Sequence, residues 1–137
     1  MAIGGSVIRV LIADDDPLFL VALEQALERL QGIAIVAVAH DGAEAVSLFA
    51  ETHPDVSIVD LWMPNGNGIE VTERIRRLDR DATVLILSSE PDTRTLARCL
   101  DGGARGMLKK GLRFAEYVPV AVAALGARQH GAAGATG

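Results

Sequence analysis

Five short aliphatic runs, spaced between longer helical patterns, leave this chain few folds to choose from. They are VIRVLIA (7–13), AIVAVA (34–39), VSIVDL (56–61), TVLIL (83–87) and GMLK (106–109). Each is too short for an independent helix, rich in Val or Ile for the most part, and largely apolar on both faces, as strands covered on both sides must be. Between the first two, Phe19, Ala22, Leu23, Ala26, Leu27 and Leu30 recur at helical spacing behind Asp16 and Pro17 and ahead of Gly32. Ala45, Val46 and Phe49 mark a second helix after Asp41 and Gly42, and Val71, Ile75 and Leu78 a third. Leu96, Cys99, Leu100 and Gly103 mark a fourth, begun near Asp92 or Thr93 and stopped by Gly102 and Gly103. An Ala-rich fifth runs from about Tyr117 to Gln129, with Pro119 tolerable only in its first turn. Strands alternating with helices in this way specify an α/β fold, a parallel sheet wound on both faces. The closing GAAGATG (131–137) is low in complexity and reads as a flexible tail or the start of a linker, so residues 1–129 are taken as one domain and 130–137 as its tail.

Composition excludes several classes of function. At 137 residues the chain can build one substantial core, and with 4% aromatic residues that core must be aliphatic. No apolar run approaches the roughly 20 residues needed to cross a bilayer, and residues 1–6 lack the charged and apolar regions of a signal peptide, so a cytoplasmic location is expected. A single cysteine, Cys99, precludes an internal disulfide or a Cys-cluster zinc site and is expected in the core. A formal charge of -5 argues against direct nucleic-acid binding by this segment. His40, His53 and His130 have no ligand spacing and are expected at the surface.

In a doubly wound sheet the carboxyl ends of all strands open on one side, where the functional crevice forms. That geometry collects Asp14, Asp15 and Asp16 from the first strand, Asp60 from the third, Ser88 and Ser89 from the fourth, and Lys109 and Lys110 from the fifth. Carboxylates crowded together call for a cation, and an all-oxygen cluster suits a hard divalent ion such as Mg²⁺. One carboxylate is then available as a nucleophile toward a phosphoryl group, with a lysine and a hydroxyl opposite to hold its oxygens. One of the three aspartates, Asp16 ahead of Pro17, is expected to cap the helix, and strand alternation sends Lys109 and Lys110 to opposite faces without deciding which enters the site.

Four ordered motifs, LIADDDP, PDVSIVDLWMPNGNGIEV, VLILSSE and GGARGMLKKG, resemble the receiver domain of bacterial two-component response regulators over residues 7 to about 125. The resemblance implies a flavodoxin-like, five-stranded parallel sheet in the order 2-1-3-4-5 with five helices. It implies a signalling switch rather than an enzyme, promoting only its own phosphoryl transfer and dephosphorylation. Asp60 would accept a phosphoryl group from a histidine kinase or phosphotransfer protein, Asp14 and Asp15 would manage Mg²⁺ with Asp60, and the backbone carbonyl of Trp62 would complete the metal shell. Ser88 corresponds to the switch hydroxyl and Lys110 to the family lysine. Trp62 and Glu90 fall at positions that tune dephosphorylation, with Trp62 expected to slow loss of phosphate.

Two positions depart from the family pattern. Met107 stands where an aromatic usually swings inward with the switch hydroxyl, and a thioether gives a softer switch. Gly111 replaces the usual proline after the lysine; since a cis bond without proline costs about 2.5–4 kcal/mol, a trans Lys110–Gly111 bond is expected.

The resemblance assigns output to the fourth helix, fifth strand and fifth helix, with Arg94, Arg98, Arg105, Arg113 and Tyr117 among the exposed positions. Val118, Val120, Val122 and Leu125 exceed one buried stripe, which fits either a partner surface such as a homodimer or a more completely buried helix. No output module follows in these residues, so the chain is either a stand-alone receiver or the first part of a longer regulator. Two rival readings remain. A pseudo-receiver would keep the fold without phosphorylation, although it usually lacks a pocket residue. A phosphatase of the haloacid dehalogenase type could use Asp14 and Asp16 as its DxD pair, yet Pro17 and Leu18 break that pattern and Asp60 is left unexplained.

Overall fold

In the computed structural model, which describes the backbone of residues 7–136 and the side chains of residues 7–127, all five aliphatic runs form strands. The order is β1 (Ile8–Ala13), α1 (Pro17–Glu28), β2 (Ile33–Ala39), α2 (Gly42–Thr52), β3 (Val56–Asp60), α3 (Gly68–Leu78), β4 (Thr83–Ser88), α4 (Thr93–Asp101), β5 (Gly106–Lys109) and α5 (Phe114–Thr136). The strands make one sheet in the order β2-β1-β3-β4-β5, with every pair parallel. This is the doubly wound, flavodoxin-like arrangement.

Strand alternation divides the core into two layers. Val10, Ile12, Val56, Ile58, Leu85 and Leu87 face α1 and α5 and pack on Leu20, Leu23, Leu27, Val118 and Val122. Leu11, Ala13, Val59, Val84 and Ile86 face the other way, onto Ala45 and Phe49 of α2, Val71 and Ile75 of α3, and Cys99 of α4. Every residue of β3 and β4 is buried, as strands covered on both sides require.

Four of the helices begin on a side-chain cap just past a strand's carboxyl end. Asp16, Asp41 and Asp92 accept the backbone N–H groups of Leu18, Glu44 and Thr95, and Asn67 forms a full capping box with Glu70. The expected cap at Asp16, with Pro17 as the first helical residue, is therefore observed. Leu30 lies beyond the end of α1 and is 37% exposed, so it does not join the buried stripe.

The fifth helix departs from expectation. It starts at Phe114, three residues before Tyr117, because the Phe114 and Glu116 N–H groups close tight turns onto the carbonyls of Gly111 and Arg113. Pro119 consequently sits in the second turn, where it removes a single helical hydrogen bond. The helical backbone continues past Gln129 to Thr136, where alanines offset the propensity cost of the intervening glycines. Val118 and Val122 are buried, whereas Val120 is 64% exposed, so the surplus apolar position of this helix faces outward. Among the described residues no helix is long and apolar enough to cross a membrane.

Candidate functional site at the carboxyl edge of the sheet

Asp14 follows the last residue of β1, and its N–H donates to the carbonyl of Ala39 at 3.1 Å, which carries the sheet pairing one step further. Its side chain is buried; Oδ1 accepts the Asp16 N–H at 2.9 Å and Oδ2 accepts Lys110 Nζ at 2.8 Å. Asp60, the last residue of β3, is 7% exposed, and its Oδ1 lies 3.3 Å from the same ammonium. Asp15 is exposed at the rim. Carboxylate oxygens of Asp14, Asp15 and Asp60 all lie within 4.8 Å of one another, a donor set and spacing that fit a hard divalent cation such as Mg²⁺.

The electrostatics follow from crowding. Burial, and then the negative charge of Asp14, push the Asp60 carboxyl up from 3.8 to about 6, against the opposing pull of Lys110. Burial works to lower the Lys110 ammonium, but its hydrogen bond to Asp14 and the charges of Asp60 and Asp14 outweigh it and hold the pKa above the usual lysine value. One cation therefore answers two buried carboxylates, and the pocket retains an excess of negative charge toward Asp15.

The PNGNG loop holds Asp60 from outside. Gly68 N donates to the Leu61 carbonyl at 2.8 Å, and a Cβ at Gly68 would fall 2.8 Å from the Asp60 carbonyl oxygen, so only glycine lets α3 begin this close to the strand end. Asn65 (φ 58°) and Gly66 (φ 125°) reverse the chain. Asn65 Nδ2 donates to Asp41 Oδ2 at 3.0 Å, and Gly42 N donates to the Pro64 carbonyl at 3.0 Å, tying the loop to the start of α2. The hydrogen bond from the Glu44 N–H, followed by that from Asn65, lowers the pKa of Asp41 and keeps this exposed anchor ionised.

The remaining expected residues fall on two sides of Asp60. Ser88, the last residue of β4, is buried, and its Oγ accepts the Glu90 N–H at 3.3 Å. A cleft of about 340 Å³ opens beside it, lined by Leu61, Trp62, Ser88, Ser89, Glu90, Asp92 and Thr95, with Trp62 68% exposed. Met107 lies half-buried against the α2–α4 layer, its Sδ 4.0 Å from Cys99 Sγ, so it is turned inward. The two adjacent lysines separate: Lys109 is exposed and Lys110 enters the pocket. Every peptide bond among the described residues is trans, including Lys110–Gly111. His40 and His53 are exposed, as expected, and His130 lies outside the residues with described side chains.

Sequence reasoning missed the aromatic surroundings of Lys110. Its Nζ lies 4.2 Å from the centroid of the Phe19 ring, which in turn packs on Phe114 at 4.8 Å between centroids. Tyr117, expected on the exposed face, is half-buried; its hydroxyl donates to the Lys109 carbonyl and accepts the Gly111 N–H, so it grips the backbone on either side of Lys110. The available signal was scarcity: the chain has three Phe, one Tyr and one Trp, and Phe19, Phe114 and Tyr117 all gather here.

Comparison with known proteins agrees with this fold. Residues 10–120 match the response regulator receiver domain model, and the chain belongs to that family. A putative transcriptional regulator of Pseudomonas aeruginosa is 35% identical over 127 residues, covering 93% of this chain and 61% of the relative. The receiver domain of the response regulator NarL from Mycobacterium tuberculosis superposes with a TM-score of 0.81 at 30% identity, covering 88% of this chain and 97% of that one. A chain of the CheX–CheY–BeF3–Mg²⁺ complex from Borrelia burgdorferi gives a TM-score of 0.81 at 27% identity, with 90% and 93% covered. The chain spans about half to three-fifths of the lengths of the curated relatives it matches.

Proposed function

We propose that this receiver is a phosphorylation-dependent switch in which Asp60 accepts a phosphoryl group from a partner histidine kinase or phosphotransfer protein. A carboxylate oxygen of Asp60 attacks phosphorus, the bond from phosphorus to the donor's imidazole nitrogen breaks, and the nitrogen leaves with its electron pair. Mg²⁺ held by Asp14, Asp15 and Asp60, with the Trp62 carbonyl, would neutralise the charge that the incoming phosphoryl group adds. Lys110 turns its ammonium from Asp14 toward a phosphoryl oxygen, and the Ser88 hydroxyl donates to another. The observation that carries this reading is the meeting of Asp60, Asp14 and Asp15 within 4.8 Å with Lys110 Nζ 3.3 Å from Asp60. A structural relative solved in a complex with BeF3 and Mg²⁺ supports the same chemistry.

Movement of Ser88 toward the phosphoryl group vacates space that Met107 takes up, altering the surface of α4, β5 and α5. Residues 1–129 act as the receiver and 130–137 lead out of it, and Val120 belongs to a homodimer or output contact on that surface. Trp62 and Glu90 border the cleft beside Asp60 and limit water's approach, so Trp62→Asn speeds loss of phosphate.

Intact mass spectrometry after incubation with acetyl phosphate and Mg²⁺ tests the core of this reading. A single phosphoryl adduct, absent in Asp60→Asn, is expected. A wild-type protein that takes no adduct is an interaction module, and multiple turnover on a small phosphate ester makes it a phosphatase.

A further inference from the structure

We infer that Phe19 is a positioning residue for phosphoryl transfer, its ring forming the floor on which the Lys110 ammonium rests between the Asp14 and Asp60 carboxylates. The inference rests on the receiver reading and adds a residue to it. The ammonium has carboxylate oxygens at 2.8 and 3.3 Å and the face of Phe19 at 4.2 Å. A cation that is partly withdrawn from water gains more from the negative face of a ring than one at the open surface.

Helix patterning does not account for an aromatic at this position. The inward positions of α1 otherwise carry Leu20, Leu23, Ala26 and Leu27, all aliphatic, and a leucine would satisfy the apolar stripe equally well. What an aromatic adds is the electron-rich face that meets Lys110.

The ring is also prevented from turning away. It packs at 42° against Phe114, the first residue of α5. One turn along the same helix, the Tyr117 hydroxyl fixes the Lys109 carbonyl and the Gly111 N–H. The Lys110 N–H donates to the Ser88 carbonyl at 2.8 Å. Backbone and side chain of Lys110 are therefore held from separate points, and Phe19 governs how far the ammonium can withdraw from the nucleophile. A group held in reacting geometry before transfer removes an entropic part of the barrier.

The test replaces Phe19 in the full chain with mono-, di- and trifluorophenylalanine, which nearly preserve shape while draining charge from the ring face. The rate of Asp60 phosphorylation by acetyl phosphate with Mg²⁺ is followed by intact mass, and Tm is measured for each protein. A stepwise fall across the series is expected, about three- to tenfold at the trifluoro ring, with Tm lowered by no more than about 5 °C as the contact weakens; Phe19→Leu shows a loss at least as large, and Phe19→Trp retains the rate. A phosphorylated wild type with a flat rate across the series overturns the inference alone and leaves Phe19 as packing. A wild type that takes no phosphoryl group overturns the receiver reading and this inference together.

Discussion

The two sides of the pocket are built differently. Its carboxylates stand on β1 and β3, in the middle of the sheet, where Val10, Leu11, Ile12, Val56, Ile58 and Val59 are fully buried. Its cation stands at the end of β5, a four-residue edge strand with three half-buried positions and one exposed. The flanking helices repeat the contrast: α3 has a capping box and buries Gly68, Val71, Thr72 and Ile75, whereas α4 buries Cys99 alone. The carboxylates are thus set at the end of fully buried strands, whereas Lys110 is held by a few discrete contacts, which local opening can break without unfolding the domain.

Large-to-small substitutions on the two sides put this contrast to its broadest trial. Ile58→Ala removes a fully buried side chain from the central strand and should lower unfolding free energy by about 2–5 kcal/mol. Leu108→Ala, on the half-buried edge strand, should cost about 1 kcal/mol. Urea denaturation of both proteins measures the difference; equal costs would mean that the edge is as firmly packed as the centre. Gly68→Ala should fall between them, at about 1–3 kcal/mol, because its new Cβ meets the backbone at the Asp60 carbonyl. It should also slow phosphorylation more than Leu108→Ala does, since the clash displaces Asp60, the proposed phosphoacceptor.

A third trial concerns charge. Asp60 has a folded-state pKa of about 6 against an ordinary value of 3.8, so the native protein binds this proton more tightly than the unfolded chain. The stability this confers is complete below about pH 4 and is lost as pH rises through about 6, leaving the ionised carboxylate a burden on the fold at neutral pH. Asp60→Asn should therefore stabilise the metal-free protein by about 2 kcal/mol near pH 7, with the gain vanishing near pH 4. Mg²⁺ should shrink the neutral-pH gain by stabilising the wild-type carboxylates, and EDTA should restore it. Thermal melts at the two pH values decide the matter, and a variant less stable than wild type near pH 7 in EDTA would contradict the crowding argument.

The same division explains what the sequence revealed. Strands covered on both faces must be apolar runs, so β1, β3 and β4 were legible, and the aspartates that end β1 and β3 were conspicuous because charge interrupts such runs. The grip on Lys110 left no comparable trace. Phe19 satisfies an amphipathic pattern whichever apolar residue stands there, and its ion contact depends on a lysine 91 positions away in the chain. Tyr117 is placed among the exposed positions by the family resemblance and at a helix start by periodicity, and neither foresees the loop that folds back over the first turn of the helix. The true start of α5 was hidden for the same reason: the Gly111 and Arg113 carbonyls that begin it belong to a loop with no period of its own.

The smallest effect tests the edge most directly. Tyr117→Phe keeps the ring and removes only the hydroxyl that bridges the Lys109 carbonyl and the Gly111 N–H. A half-exposed hydrogen bond of this kind contributes about 1 kcal/mol, so Tm should fall only slightly. If the edge moves independently of the centre, amide exchange should quicken at Gly111 while the amides of Ile58 and Val59 keep their protection. Phosphorylation should slow about two- to threefold, the size of effect that partial loss of one such hydrogen bond produces. Faster exchange in β3 would show the hydroxyl supporting the whole sheet. Unchanged exchange at Gly111 would show that α5 holds the Lys110 loop through Phe114 and Phe19 alone.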